Sequence, residues 1–369
     1  MNRRVFFSII LGAVLSIAGL YLAFRNIPLE ELYQYLKSID YVWMIPAAAV
    51  VLLTYGLRAV RWSIILSASH PLSFKEAFHP LVIGFAINCI LPARAGEIAR
   101  PIILKNKSRV PFSTGLATVA TERFFDILLL LGLFAWVMAT IDFHSAVEMS
   151  FGNYRLNGAM LKFLGNKLTI LTVFMVAGIF AISMDVSRNL LIKGILALPE
   201  RMFFFGPRRK SLVRDKISTP LVGVLENISS GFSLLRHPGK IIMCTAFTAL
   251  IWGFQAFSYL LVARGCPGVS LSFVDMFTVM IIICLFIALP SVPGYWGLWE
   301  AGGVFALGLF GIDAKEAGGF TLTNHAIQVL PVILMGMASA VTISVDIRQF
   351  SKGKPSVVVN PMERKDALI

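Results

Sequence analysis

The chain has 369 residues, 57% of them hydrophobic and only 14% charged, with a mean hydropathy of +0.78. That usage excludes an ordinary soluble domain, which runs to about a quarter charged, and the apolar runs reach the 18 or more residues of a bilayer span. The net charge of +13 is not read as a nucleic-acid footprint, because basic residues of polytopic membrane proteins collect in cytoplasmic loops.

Met1-Asn-Arg-Arg4 precedes an apolar stretch that reads as an uncleaved first span, 5–24. Asn26 to Lys37 has the pattern of a short amphipathic surface helix. A second span, 41–60, ends in Arg58, Arg61 and Trp62, a cationic and aromatic anchor at the membrane interface. The next apolar run, Glu76 to Leu91, is too short to cross: about 16 residues give roughly 24 Å of helix against a hydrocarbon core of ~30 Å. It breaks at Pro92 inside Ile90-Leu-Pro-Ala-Arg-Ala-Gly-Glu-Ile-Ala-Arg-Pro101, which sets two arginines and a glutamate among apolar residues. Further spans are expected at 113–141, 168–185, 241–263 and 320–345, with a basic interfacial segment at 186–240 and a polar tail at 346–369. Leu289-Pro-Ser-Val-Pro-Gly-Tyr-Trp-Gly-Leu-Trp-Glu-Ala-Gly302 repeats the logic of the first break: a Leu-Pro stop, a glycine turn, then one acid on the following helix.

Charge decides how the short runs sit. With 76–104 and 271–310 as re-entrant hairpins from opposite sides, 25 Lys and Arg fall inside, 7 outside, and Arg123 stays in the membrane. The expected fold is therefore all-α, a polytopic membrane helix bundle with six crossings, both termini cytoplasmic, and two re-entrant helical hairpins. Span, hairpin, span occurs twice with opposite starting sides, an inverted repeat of the kind that places broken helices at the midplane of secondary transporters.

Arg58-Ala-Val-Arg-Trp62, Leu91-Pro-Ala-Arg-Ala-Gly-Glu-Ile-Ala-Arg100, Glu122-Arg-Phe-Phe-Asp126 and Pro290-Ser-Val-Pro-Gly-Tyr-Trp-Gly-Leu-Trp-Glu300 resemble the signature blocks of the lysylphosphatidylglycerol synthase transmembrane-region family. The resemblance spans nearly the whole chain. It implies a flippase-like, lipid-handling membrane domain, found alone or fused to a soluble aminoacyl-transfer domain, with translocation of aminoacylated phospholipid by fused members. After the last expected span about 25 residues remain, so lipid aminoacylation by a soluble synthetase domain is not expected here.

The site chemistry follows from the residues themselves. Arg94, Glu97 and Arg100 recur every third position, within a sector of roughly 120° on a helix whose N-terminus opens at the turn, which suits a phosphate or other anionic head group. The bland alternatives are an Arg94–Glu97 lock on the hairpin and an Arg100 that snorkels to the surface. Glu122 and Asp126 share one face at i, i+4, flanking Arg123; they pair with the hairpin arginines or carry a coupling proton. Gly294 allows a close turn, and Glu300 is expected to face the first hairpin. Asn324, His325 and Gln328 on the last span line the same cavity, His325 as an interhelical hydrogen-bonding group or a proton carrier. Cys89, Cys244, Cys266 and Cys284 have no CxxC spacing, so no metal or cofactor is expected. Arg201-Met-Phe-Phe-Phe-Gly-Pro-Arg-Arg-Lys210 is expected to lie on anionic inner-leaflet lipids rather than nucleic acid.

Two function classes stand: a transporter moving a lipid with an anionic or zwitterionic head group between leaflets, or a membrane-embedded enzyme or enzyme subunit for glycosyl or aminoacyl transfer to lipid. HExxH, GxSxG and P-loop patterns are missing from the sequence. The expected location is a bacterial cytoplasmic (inner) membrane, the expected partners a homo-oligomer or a separate lipid-modifying enzyme.

Overall fold

The computed structural model describes residues 3–92, 94–140 and 237–345, and parts of 141–236. Apart from isolated positions, the span expected at 168–185, the aromatic run at 202–210 and the tail at 346–369 lie outside the described residues. The fold is an all-α bundle; a small antiparallel hairpin, Met149–Phe151 with Tyr154–Leu156, accompanies it. The chain is a multi-pass membrane protein by its apolar helices.

Helix α1 (Arg3–Phe24) bends by 78° into α2 (Leu29–Ser38). α2 buries Leu32 and Tyr35, and the Tyr35 hydroxyl donates to the Pro267 carbonyl at 2.8 Å. Asp40 caps a short 3-10 turn that starts α3 (Met44–Leu66). After α4 (Phe74–Ile90) and α5 (Ala95–Ser108) comes α6 (Phe112–Thr140), 29 residues long with Glu122, Arg123 and Asp126 near its middle. α7 (Asp185–Arg201) belongs to the basic segment. The second half holds α8 (Pro238–Gly265), α9 (Phe273–Ile287), α10 (Leu298–Gly308) and α11 (Ala314–Thr342). By length and composition α3 with its 3-10 turn, α8 and α11 qualify as spans, and α1 with α2 as a bent fourth.

Both short apolar runs fold as helical hairpins. The arms are 17 and 14 residues in the first (α4–α5) and 15 and 11 in the second (α9–α10). At 1.5 Å per residue none of them reaches across a ~30 Å core. Each hairpin starts on a reciprocal capping box, Ser73 with Glu76 and Ser272 with Asp275, which satisfies N–H groups that the first turn of a helix leaves unpaired. Proline cannot continue a helix, so α4 stops at Ile90 before Pro92. The chain turns through Arg94 at φ 52°, and α5 returns with Gly96 pressed on the Gly84 carbonyl. Without side chains at these glycines the two backbones touch, the usual basis of helix contact in lipid. In the second hairpin the turn runs through Gly294 (φ 74°), Tyr295 (φ 65°) and Gly297 (φ 86°) before α10 starts.

The first long helices of the two halves, α3 and α8, lie side by side. The start of α3 meets the end of α8, where the Asp40 amide donates to the Gly265 carbonyl at 2.9 Å, while Lys240 at the start of α8 donates to Ser67 past the end of α3 at 3.0 Å. Equivalent helices thus run antiparallel, and each hairpin follows its helix in from an opposite end of the bundle. Within each half the same neighbours touch: first helix with first arm, arm with arm, second arm with last helix. The tips meet with Arg94 Nη2 donating to the Ile287 carbonyl at 3.1 Å, an exposed contact, and Gly294 close to the Cys89 carbonyl.

Candidate functional site

Around the first hairpin the charged residues condense into one buried cluster. Arg61 on α3 is fully buried and forks onto Asp126, Nη1 to Oδ1 at 2.6 Å and Nη2 to Oδ2 at 3.1 Å; Nη2 also reaches Glu122 at 3.0 Å and Nη1 donates to Thr248 of α8 at 2.8 Å. Arg100 on α5 donates to the other oxygen of Glu122 at 2.6 Å. Arg58 comes no nearer than 3.9 Å to Asp126, and Arg123 lies 3.6 Å from both Asp126 and Glu97. Trp252 donates its indole N–H to Asp126 at 3.0 Å, and Trp62 donates to Thr118 at 3.1 Å, pinning α3 to α6.

Four guanidinium groups therefore face three carboxylates, and an aromatic wall carries the remainder. The Phe85 ring lies 5.5 Å from the Arg58 guanidinium, 5.7 Å from that of Arg100 and 5.6 Å from that of Arg123. Arg100 also sits 4.2 Å over Trp62. Such contacts contribute about 0.5–2 kcal/mol each, more as water is excluded. Even so, Nε and Nη1 of Arg100 and Nε of Arg58 are buried without a hydrogen-bond partner among the described residues.

Several expectations are corrected by this arrangement. Arg58, Arg61 and Trp62 are not interface anchors: α3 continues to Leu66, and α6 draws all three inside, the arginines through its carboxylates and Trp62 through Thr118. Arg100 does not snorkel; its partner Glu122 is buried, so the guanidinium stays with it. The Arg94, Glu97, Arg100 set is divided, because Arg94 sits in the left-handed turn and points across to the second hairpin, Glu97 turns to Arg123, and Arg100 turns inward. Asn88 takes the Gly96 amide at 2.7 Å, so the α5 N-terminus keeps fewer free donors than its position implied.

Glu300 does not face the first hairpin. One oxygen accepts from the Gly297 amide at 2.6 Å, closing a cap on α10, and the other lies 2.5 Å from His325 Nδ1 on α11. His325 Nε2 is 2.7 Å from the Gly294 carbonyl, and its ring is flanked by Trp299, stacked at 4.7 Å, and Trp296 at 4.5 Å. Asn324 and Gln328 belong to a separate polar chain: Gln328 donates to Ser258 at 2.9 Å and to Asn324 at 3.2 Å, and accepts from Gln255. Sequence reasoning passed over Phe85, Trp252, Thr248 and Asn88. Thr248 and Trp252, four apart and followed by Gln255, were the readable signal for a polar face on α8. Among the described residues no group of His, Cys, Asp and Glu is arranged to hold a metal ion.

Comparison with known proteins places this geometry. The family described as the lysylphosphatidylglycerol synthase TM region matches residues 9–336. A protein named glycosyltransferase AglD of Haloferax volcanii is 25% identical over 94% of this chain, which spans only 56% of that relative's length. Two proteins of Methanothermobacter thermautotrophicus, each named a UPF0104 membrane protein, are similar throughout: one is 21% identical over 89% of this chain and 94% of its own, the other 23% over 80% and 82%. No solved structure matches.

Proposed function

From the premise that this chain belongs to the lysylphosphatidylglycerol synthase transmembrane-region family, we propose that it moves a lipid with an anionic, phosphate-bearing head group between leaflets, the tails remaining in the bilayer. The observation that carries the reading is the excess of buried guanidinium groups over carboxylates, with N–H groups of Arg58 and Arg100 unpartnered. A cation at bilayer depth costs ~2.5–3.5 kcal/mol or more, and a phosphate would both neutralise the excess and accept those N–H groups. Arg94, exposed where the two tips meet, is the first guanidinium a head group would find. The inverted halves supply access from each side in turn, one half rocking on the other about the α3–α8 contact. In this reading both termini are cytoplasmic in a cytoplasmic membrane, and the basic segment rests on anionic lipid.

The test uses purified protein in liposomes containing fluorescent phosphatidylglycerol, with a membrane-impermeant quencher to read leaflet exchange and mass spectrometry to read the lipid. The lipid is expected to change leaflet with its mass unaltered. Arg94→Ala is expected to abolish the movement in a folded protein and Arg94→Lys to restore it only in part, since an ammonium lacks the bidentate fork. Full activity of Arg94→Ala would remove this site from consideration. A second reading draws on the relative named a glycosyltransferase: this chain as the membrane-embedded part of glycosyl transfer to a lipid. A lipid that gains mass without changing leaflet would install it.

A further inference from the structure

Two acceptors face one imidazole at the tip of the second hairpin. The Gly294 carbonyl can only accept, and an ionised Glu300 can only accept, whereas a neutral imidazole carries one N–H for its two nitrogens. Both contacts are therefore satisfied only when the His325–Glu300 pair holds one proton more than neutral imidazole plus carboxylate. Either the ring carries both hydrogens, or Glu300 is protonated and donates to Nδ1 while Nε2–H donates to Gly294. The Gly297 amide on the second carboxyl oxygen is compatible with both. The two residues are fully buried, and the indole faces of Trp296 and Trp299 suit a ring that carries positive charge.

We infer that Glu300 and His325 form a binding site for a single proton, and that this proton latches the tip of the second hairpin onto α11. The inference rests on the transport reading for its purpose, since it makes the proton the coupling ion. When the proton leaves, a nitrogen lone pair must face either the Gly294 carbonyl or the carboxylate. Repulsion at the first contact releases a turn already built on left-handed backbone at Gly294, Tyr295 and Gly297. Because Gly294 also sits against the Cys89 carbonyl, and Arg94 against Ile287 just before the same turn, release of the tip opens the place where the hairpins meet.

Other titratable groups come from the helices packed on the tip and on α11, with Tyr21 on α1, Arg25 just past its end and Tyr35 on α2. The tip brings Tyr295, in the field of Arg94, Arg123 and Glu97. α4 brings Cys89, α9 brings Cys284 and, at its outer end, Asp275, and α8 brings Tyr259, bonded to Asn324. α3 and α6 bring Arg58 and Asp126, the latter engaged by Arg61 and Trp252. On α11 itself Lys315 and Glu316 lie about 14 Å away along the axis. Among the described residues the pair shares no ion pair with the arginine cluster, while Tyr295 of the same tip lies in the field of Arg94 and Arg123. Acid loads the site and closes the tip; alkali unloads and opens it.

The experiment places a nitroxide at Ser291→Cys on the tip, in a chain whose four native cysteines are replaced by serine or alanine, in phosphatidylcholine and phosphatidylglycerol liposomes. Collision with a water-soluble relaxation agent is expected to rise roughly threefold or more between buffers of about pH 5 and about pH 9. Glu300→Gln keeps the Gly297 cap and gives Nδ1 a permanent N–H donor, so this variant is expected to stay closed across the range. Accessibility that is flat with pH in the parent, or that rises equally in Glu300→Gln, would overturn the proton site. Movement of fluorescent phosphatidylglycerol is followed in the same liposomes. If the tip responds to pH and Glu300→Gln abolishes the response while no lipid moves, the proton site is upheld and the transport reading falls; lipid movement beside an unresponsive tip has the opposite meaning.

Discussion

The first hairpin begins Leu72-Ser73-Phe74, with Glu76 and Phe78 following; the second begins Leu271-Ser272-Phe273, with Asp275 and Phe277 following. Both form the capping box, and both set the two phenylalanines side by side, at 5.4 Å in the first and 6.1 Å in the second. Both stop at a Leu-Pro. Past that point they diverge: the first turns through Arg94 into a helix whose Arg100 joins an ion-pair cluster, the second through glycines into a helix whose only acid in its first turn, Glu300, meets one histidine. Shared residues lie where the hairpin must start and stop, and different ones where a ligand would be met. Similar architecture thus holds two chemistries, fixed charge on one side and an exchangeable proton on the other.

The sharpest way to break that comparison is to remove an acid from the fixed-charge side. Glu122→Ala leaves Arg61 and Arg100 buried with partners lost, and Asp126→Ala does the same to Arg61; each is expected to destabilise by about 3–5 kcal/mol, seen as a collapsed melting temperature in detergent. Glu300→Gln, which keeps both of its contacts, is expected to melt close to the parent. Comparable losses from all three would mean that the second hairpin depends on ion pairing no less than the first.

Next in size is the closeness of the arms. A methyl at Gly96 would run into the Gly84 carbonyl, whereas one at Gly302 meets Cβ and Cγ of Phe286 at 3.0 Å and the Ile283 Cα at 3.2 Å, a tight fit that asks for a shift of only a few tenths of an ångström. Gly96→Ala is expected to cost the upper part, and Gly302→Ala the lower part, of the roughly 1–3 kcal/mol typical of overpacking, read by thermal melts of the two variants. The smallest effect tests the likeness itself. Ser73→Ala and Ser272→Ala each lose a cap, about 1 kcal/mol apiece, and are expected to shift the melt equally; a marked inequality would set the two starts apart.

Much of this was legible in the sequence, for definable reasons. Charged residues inside apolar runs singled out Arg100, Glu122 and Asp126, because such residues persist at bilayer depth only with partners, whereas Arg58 and Arg61 sat close enough to the expected end of a span to read as interface anchors. Proline and glycine placed both breaks. Which partner each charge takes was not legible: Arg61 and Asp126 lie on different helices 65 residues apart, and only the packing of α3 on α6 brings them together. Glu300 was misjudged because its spacing from Gly297 suits a helix cap and a cross-helix pair equally, and here it does both. The repeat was more legible than expected from Leu-Pro, glycine and glutamate, since the seven-residue starts match at four identical positions and one conservative one.

The pairing of Arg61 with Asp126 and Glu122 also constrains how the chain reaches the bilayer. As α6 emerges from the ribosome it carries Glu122, Arg123 and Asp126 within five positions, and on an insertion scale each charge near a helix centre opposes partition by about 2.5–3.5 kcal/mol. α3 emerges first and carries the guanidinium groups that cancel two of those charges. Lateral release into lipid is then expected to be a joint event for helices separated by a whole hairpin.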